Sequence, residues 1–174
     1  MAYTPEPLAT PDVCPVGDER PLSRGEIGLA RTIFGDALDY ESIRIKRRKW
    51  WPFQPKRITM APNGHLYFHP RGDAYCDDFS DAPLGTQAFF IHELTHVWQT
   101  QTFGRWYLIL HRHPFCRYTY SLKPGAALAA YGIEQQAEIV AHAFLLRHGA
   151  KMSGVADKSA YDLLVRFKGA TLPA

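Results

Sequence analysis

"FFIHELTHVWQ", residues 89–99, decides how this sequence is read: it places two histidines four apart, with a glutamate directly after the first. On an α-helix, His92 and His96 lie one turn apart on one face, so their imidazoles project side by side and can grip one metal ion. Glu93 sits next to them, where a carboxylate can take a proton from a metal-activated water. A blander reading is a core helix that happens to carry two histidines. The helical wheel speaks against it. Phe90, Ile91, Leu94, Val97 and Trp98 share one apolar arc, while His92 and His96 point to the other side with Phe89.

Catalytic zinc usually keeps three protein ligands, so a third must be found. The metzincin pattern would need glycine at 99 and histidine at 102. Gln99 and Thr102 stand there, which excludes that branch. Further on, "GIEQQAEIV" sets Glu134 and Glu138 four apart, at the edge of an apolar arc of Ile133, Ala137, Val140, Ala141 and Phe144. Carboxylates turned toward a core are costly unless paired or metal-bound. The ordinary alternative is a pair of solvated glutamates. Spacing alone leaves either carboxylate open as the ligand, with His113 and His142 next in line.

The bulk numbers set the frame. A chain of 174 residues suits one domain, and 46% hydrophobic with 21% charged residues is ordinary for a globular protein. A net charge of +3 is too small to argue for nucleic acid. Cys14, Cys76 and Cys116 are odd in number and widely spaced, which favours reduced thiols over a disulfide framework. The start, "MAYTPEPLATPDVCPVGDERP", has no apolar run of the Sec type. No stretch approaches the roughly 20 apolar residues of a membrane helix. The expectation is a chain made in the cytoplasm, with no membrane partner, and export only by a route that reads no Sec signal.

Residues 1–22 read as a proline-rich lead-in and 23–174 as a single domain. Ser23 and Glu26 form a capping box before a helix that stops at Gly35. Residues 42–46 alternate like a strand. Arg57–Met60 and His65–Phe68 read as the arms of a hairpin around Pro62-Asn63-Gly64. Helices are expected over about 86–102, 131–148 and 159–167.

These residues carry a resemblance. HExxH on one helix, with a glutamate and then a second acid one turn apart on a later helix, is similar to the gluzincin metallopeptidases. The segments "GEIGLARTIFGDALDY", "GHLYFHP", "IHELTHVWQ" and "YGIEQQAEIVAHAF" resemble small Vgr-related HExxH proteins and metallopeptidase-like domains of type VI secretion and polymorphic-toxin systems. The resemblance implies an α+β zincin-like domain, a small twisted sheet packed on the HExxH helix with a helical C-terminal part. It implies Zn²⁺ on His92, His96 and Glu134, and Glu138 as the acid that orients a ligand histidine. Ile133 departs from the gluzincin pattern, which has asparagine there.

A hydrolase also needs a group for the developing oxyanion. Tyr120 is the first choice, ahead of Tyr118, Tyr131, His111 and His113. The arm "HLYFH" is read as an edge strand beside the cleft, where an extended peptide can add through its main chain. His65 and His69, at its ends, read as surface histidines. Arg44 to Arg57 holds 7 of the 20 basic residues around Trp50 and Trp51. That reads as a partner-docking loop more readily than a nucleic-acid site. The expected activity is zinc-dependent hydrolysis of an amide bond in a peptide, a protein or a peptidoglycan peptide, with a secretion-system protein as a partner. The rival is a metal-containing adaptor module without turnover, in which His113 or His142 closes the fourth position.

Overall fold

The Ser23 capping box starts helix α1, Arg24–Phe34, as its spacing predicts. Ser23 Oγ accepts from the Glu26 amide at 3.0 Å, and Glu26 Oε2 accepts from the Ser23 amide at 2.8 Å. Gly35 ends the helix at φ +52°. A Cβ there would meet the backbone of Lys168 and Gly169 at 2.3 Å, so the position needs glycine twice over.

The computed structural model describes residues 13–111 and 118–170. His113 and Cys116 lie outside the described residues, as does most of the lead-in. Cys14 and Cys76 are free thiols.

Three short strands make one sheet in the order β1 (Glu19–Pro21), β2 (Arg44–Lys46), β3 (Leu66–Tyr67). The first pair is antiparallel, with Arg20 opposite Ile45. The second is parallel, with Ile45 opposite Leu66. Two sequence readings are corrected here. The lead-in does not run to residue 22, because Glu19–Pro21 pairs with β2 and Leu22 is buried in the core. The hairpin shrinks to one antiparallel bridge, Met60 to Tyr67, because β3 finds its long-range partner in β2.

The helices follow the expected order: α2 (Leu84–Phe103), α3 (Tyr107–His111, not anticipated), α4 (Ile133–Arg147) and α5 (Lys158–Leu164). The two long helices, α2 and α4, lie against each other, and α5 packs on α4. The apolar arc of α2 is buried as read except at Trp98, which is only partly buried against the core. Phe90, Ile91, Leu94 and Val97 are fully buried, together with Ile45 and Leu66 of the sheet and Ile139, Val140 and Phe144 of α4. Removing this much apolar surface from water holds the sheet on one side of α2 and leaves its histidine side to face α4.

One buried carboxylate belongs to this scaffold. Glu26 is fully buried, yet it accepts from the Ser23 and Phe79 amides and from both terminal nitrogens of Arg20 at 2.8 Å. It ties β1, α1 and the 3₁₀ turn Phe79–Asp81 together.

Candidate metal centre

The histidine face of α2 meets the glutamate face of α4. His96 Nε2 lies 3.2 Å from Glu134 Oε2, and His92 Nε2 lies 3.6 Å from the same oxygen. One ligand atom from each of His92, His96 and Glu134 falls within 4.8 Å of the others. His96 and Glu134 are buried, at 2% and 1% exposure, while His92 is half-buried at the pocket wall.

The far side of each imidazole is held by an acceptor, and this determines which nitrogen is left for the centre. Gln99 Nε2 donates to Ile133 O and to Gln136 Oε1, both at 3.0 Å, so its oxygen must face His96 Nδ1 at 2.8 Å. His96 therefore carries its proton on Nδ1 and turns the lone pair of Nε2 inward. Glu138 Oε1 lies 3.5 Å from His92 Nδ1, slightly long for a hydrogen bond but able to hold the same tautomer. Burial opposes a charge on His92. The contact to Glu134 and the charges of Glu93, Glu138 and Glu134 outweigh it and hold the His92 pKa above its ordinary value.

Behind Glu138 runs a second line of contacts. His142 Nε2 lies 3.6 Å from Glu138 Oε2, and its Nδ1 is hydrogen-bonded to the Tyr120 hydroxyl. Tyr120 in turn bonds the Tyr161 hydroxyl of α5 at 2.7 Å. Burial holds the His142 pKa below its ordinary value against the pull of Glu138. A neutral ring that accepts from Tyr120 at Nδ1 keeps its proton on Nε2, on the side facing Glu138.

A pocket of about 380 Å³ opens over this cluster. His92, Glu93, Glu134, Glu138 and His142 form its polar wall, and Ala88, Phe89, Ala141 and Leu145 its apolar one. Glu93 is buried, and its Oε2 meets no hydrogen-bond donor among the described residues.

Several sequence readings are revised here. Tyr120 does not line the pocket, because its hydroxyl is turned back to His142 and Tyr161. Tyr118 lines it instead, its ring parallel to His92 at a centroid distance of 6.5 Å. Tyr131 is buried, with its hydroxyl accepting from the Lys123 amide. His111 is bonded to Tyr107 O on α3. The segment bordering the pocket is not "HLYFH" and is not a strand: Leu66, Tyr67 and Phe68 are buried, and the irregular stretch Arg57, Ile58 and Thr59 lines the wall. His69 is buried, not superficial, and its Nδ1 accepts from the Arg71 amide at 3.0 Å. Sequence reasoning missed the role of Gln99, although its place one turn after His96 was visible, and missed Tyr161 altogether.

The fold and the cluster define a class: a mixed α+β domain in which two adjacent helices converge two imidazoles and a carboxylate at the floor of a cleft. No protein-family model matches the chain. It is 44% identical over 135 residues to the type VI secretion system spike protein VgrG2b of Pseudomonas aeruginosa, covering 72% of this chain. That stretch spans 13% of the spike protein's length. The solved structure of the effector domain of Pseudomonas aeruginosa VgrG2b is similar to it, with a TM-score of 0.65 and 36% identity over 83% of this chain and 80% of that one. The chain belongs to the family of the VgrG2b effector domain and is Vgr-related.

Proposed function

We propose that this chain is a secretion-associated zinc metallopeptidase with a zincin-like fold. One observation carries the reading: His96 is hydrogen-bonded through Nδ1 to Gln99, His92 has Glu138 beside its Nδ1, and both turn Nε2 toward Glu134. Ligand atoms about 2.0–2.1 Å from a tetrahedral ion lie about 3.3 Å from one another. The 3.2 and 3.6 Å separations to Glu134 Oε2 fit that spacing. His92, His96 and Glu134 would hold the ion, and Glu138 and Gln99 would orient the two histidines. When bound, zinc would supply Lewis acidity toward a water and a carbonyl.

The chain's own groups account for the rest. Glu93 faces the cleft with a buried oxygen ready to accept a proton from the attacking water and to return it to the leaving amine. Tyr118 takes the place proposed for Tyr120, since it is the tyrosine on the pocket wall. Arg57–Thr59 borders the cleft beside the Met60 bridge, where an extended peptide can align along its main chain. Peptide, protein and peptidoglycan-peptide substrates all fit such a cleft. The relationship to a spike protein supports a secretion-system partner and export without a Sec signal.

The test is elemental analysis of the purified chain together with cleavage of an unstructured protein. About one zinc per chain is expected, lost in His96→Ala. A wild-type chain that takes up no transition metal after reconstitution with zinc would sink the proposal. Zinc without any turnover, unchanged by Glu93→Gln, would favour the adaptor reading.

A further inference from the structure

We infer that the loop of residues 49–58 docks this protein on anionic lipid bilayers, with the mouth of the pocket beside the membrane surface. The loop has a rigid base and an apolar tip. Gln54, buried at 3% exposure, accepts from the Trp50 amide at 2.7 Å and donates to Ile58 O at 2.7 Å and Tyr67 O at 3.2 Å. Pinned in this way, the loop presents Phe53 at 80% exposure, Trp51 at 42%, Trp50 at 40% and Ile58 at 44%. Large side chains gathered on one surface loop mark a contact site.

Cations surround them. Lys49, Lys56, Arg57 and Arg71 are all exposed, and among the described residues none of the four makes a salt bridge to an acid. Burial and then the charges of Lys49, Arg71 and Lys56 hold the His69 imidazole below its ordinary pKa.

The chemistry favours a bilayer over the other anionic partners. Tryptophan and phenylalanine beside lysine suit the headgroup zone, where rings sit at the boundary and amines reach up to phosphate. Protein interfaces are depleted in lysine. Single-stranded nucleic acid stacks on aromatic faces, whereas Trp51 and Phe53 meet edge to face at 66°. Among the described residues no helix is long and apolar enough to cross a membrane, so this contact is peripheral. Arg57 and Ile58 belong both to the loop and to the pocket wall, which sets the cleft beside the lipid.

The experiment is sedimentation of the full chain with phosphatidylcholine vesicles, with and without phosphatidylglycerol. Neither metal nor turnover is needed for the readout, so its failure is distinct from failure of the peptidase proposal. Binding should require phosphatidylglycerol, weaken with added salt, and shift tryptophan emission to the blue. The exposed triple change Trp50→Ser, Trp51→Ser, Phe53→Ser should weaken it at least tenfold. Lys49→Glu with Lys56→Glu, which leaves the aromatic tip intact, should weaken it by at least about tenfold. Circular dichroism melts check that both variants fold. The inference is overturned if the wild type does not sediment, if either folded variant binds as the wild type does, or if only a polynucleotide or an acidic protein binds the loop.

Discussion

Two regions of this molecule bury carboxylates, and they do so in opposite ways. Glu26 is saturated: two backbone amides and the Arg20 guanidinium take up its oxygens, and the result is a joint between β1, α1 and the 79–81 turn. Across the core, Glu93 keeps a buried oxygen that no described donor satisfies, and Glu134 turns one oxygen to two imidazole nitrogens. A buried carboxylate without donors costs stability, so a fold retains one where the group has other work. The contrast separates a structural acid from the two acids to which the proposed function assigns chemistry, although all three are glutamates on helices.

Breaking the saturated site should have the largest effect on folding. Glu26→Ala leaves the Arg20 guanidinium, 12% exposed, without its carboxylate and the Ser23 and Phe79 amides without an acceptor, and loss of about 3 kcal/mol in a denaturant melt is expected. Zinc affinity of the folded fraction should stay as in the wild type. A small change in the melt would mean that the two regions are not opposites.

Glu93→Gln should do the reverse. Turnover is expected to fall by about 10²-fold or more, while zinc content and melting hold. Loss of zinc together with activity would make Glu93 a ligand, not the proton carrier.

Within the site, Glu134→Ala should remove zinc binding almost entirely, whereas Glu138→Ala should weaken it about 10–100-fold. Competition with a chelator ranks the two. The reverse order would hand the ligand role to Glu138.

The smallest effects are expected at the edge of the network. Gln99→Leu should cost zinc affinity about tenfold, because His96 loses the acceptor that holds its tautomer. Tyr161→Phe removes one hydroxyl from the end of the Tyr120–His142–Glu138 line, and only a few-fold loss is expected. If Tyr161→Phe has a larger effect than Gln99→Leu, the line through α5 is the stronger support.

Much of this was legible in the chain itself, and the legible part is local. The Ser23–Glu26 box, the stop at Gly35, the shared face of His92 and His96 and the shared face of Glu134 and Glu138 all follow from helical geometry over three or four residues. What the sequence could not decide was long-range. Whether Glu134 or Glu138 lies nearer the imidazoles depends on how α4 rests on α2, a contact between residues 38 apart in the chain. The pairing of β3 with β2, the burial of His69, the turning of Tyr120 away from the pocket and the placement of Arg57–Thr59 on its wall are of the same kind. Local spacing determines which side chains share a face, because backbone dihedrals repeat with a known period. Only packing of the closed core decides what that face meets, because burial of distant apolar surfaces sets it and no short stretch encodes it.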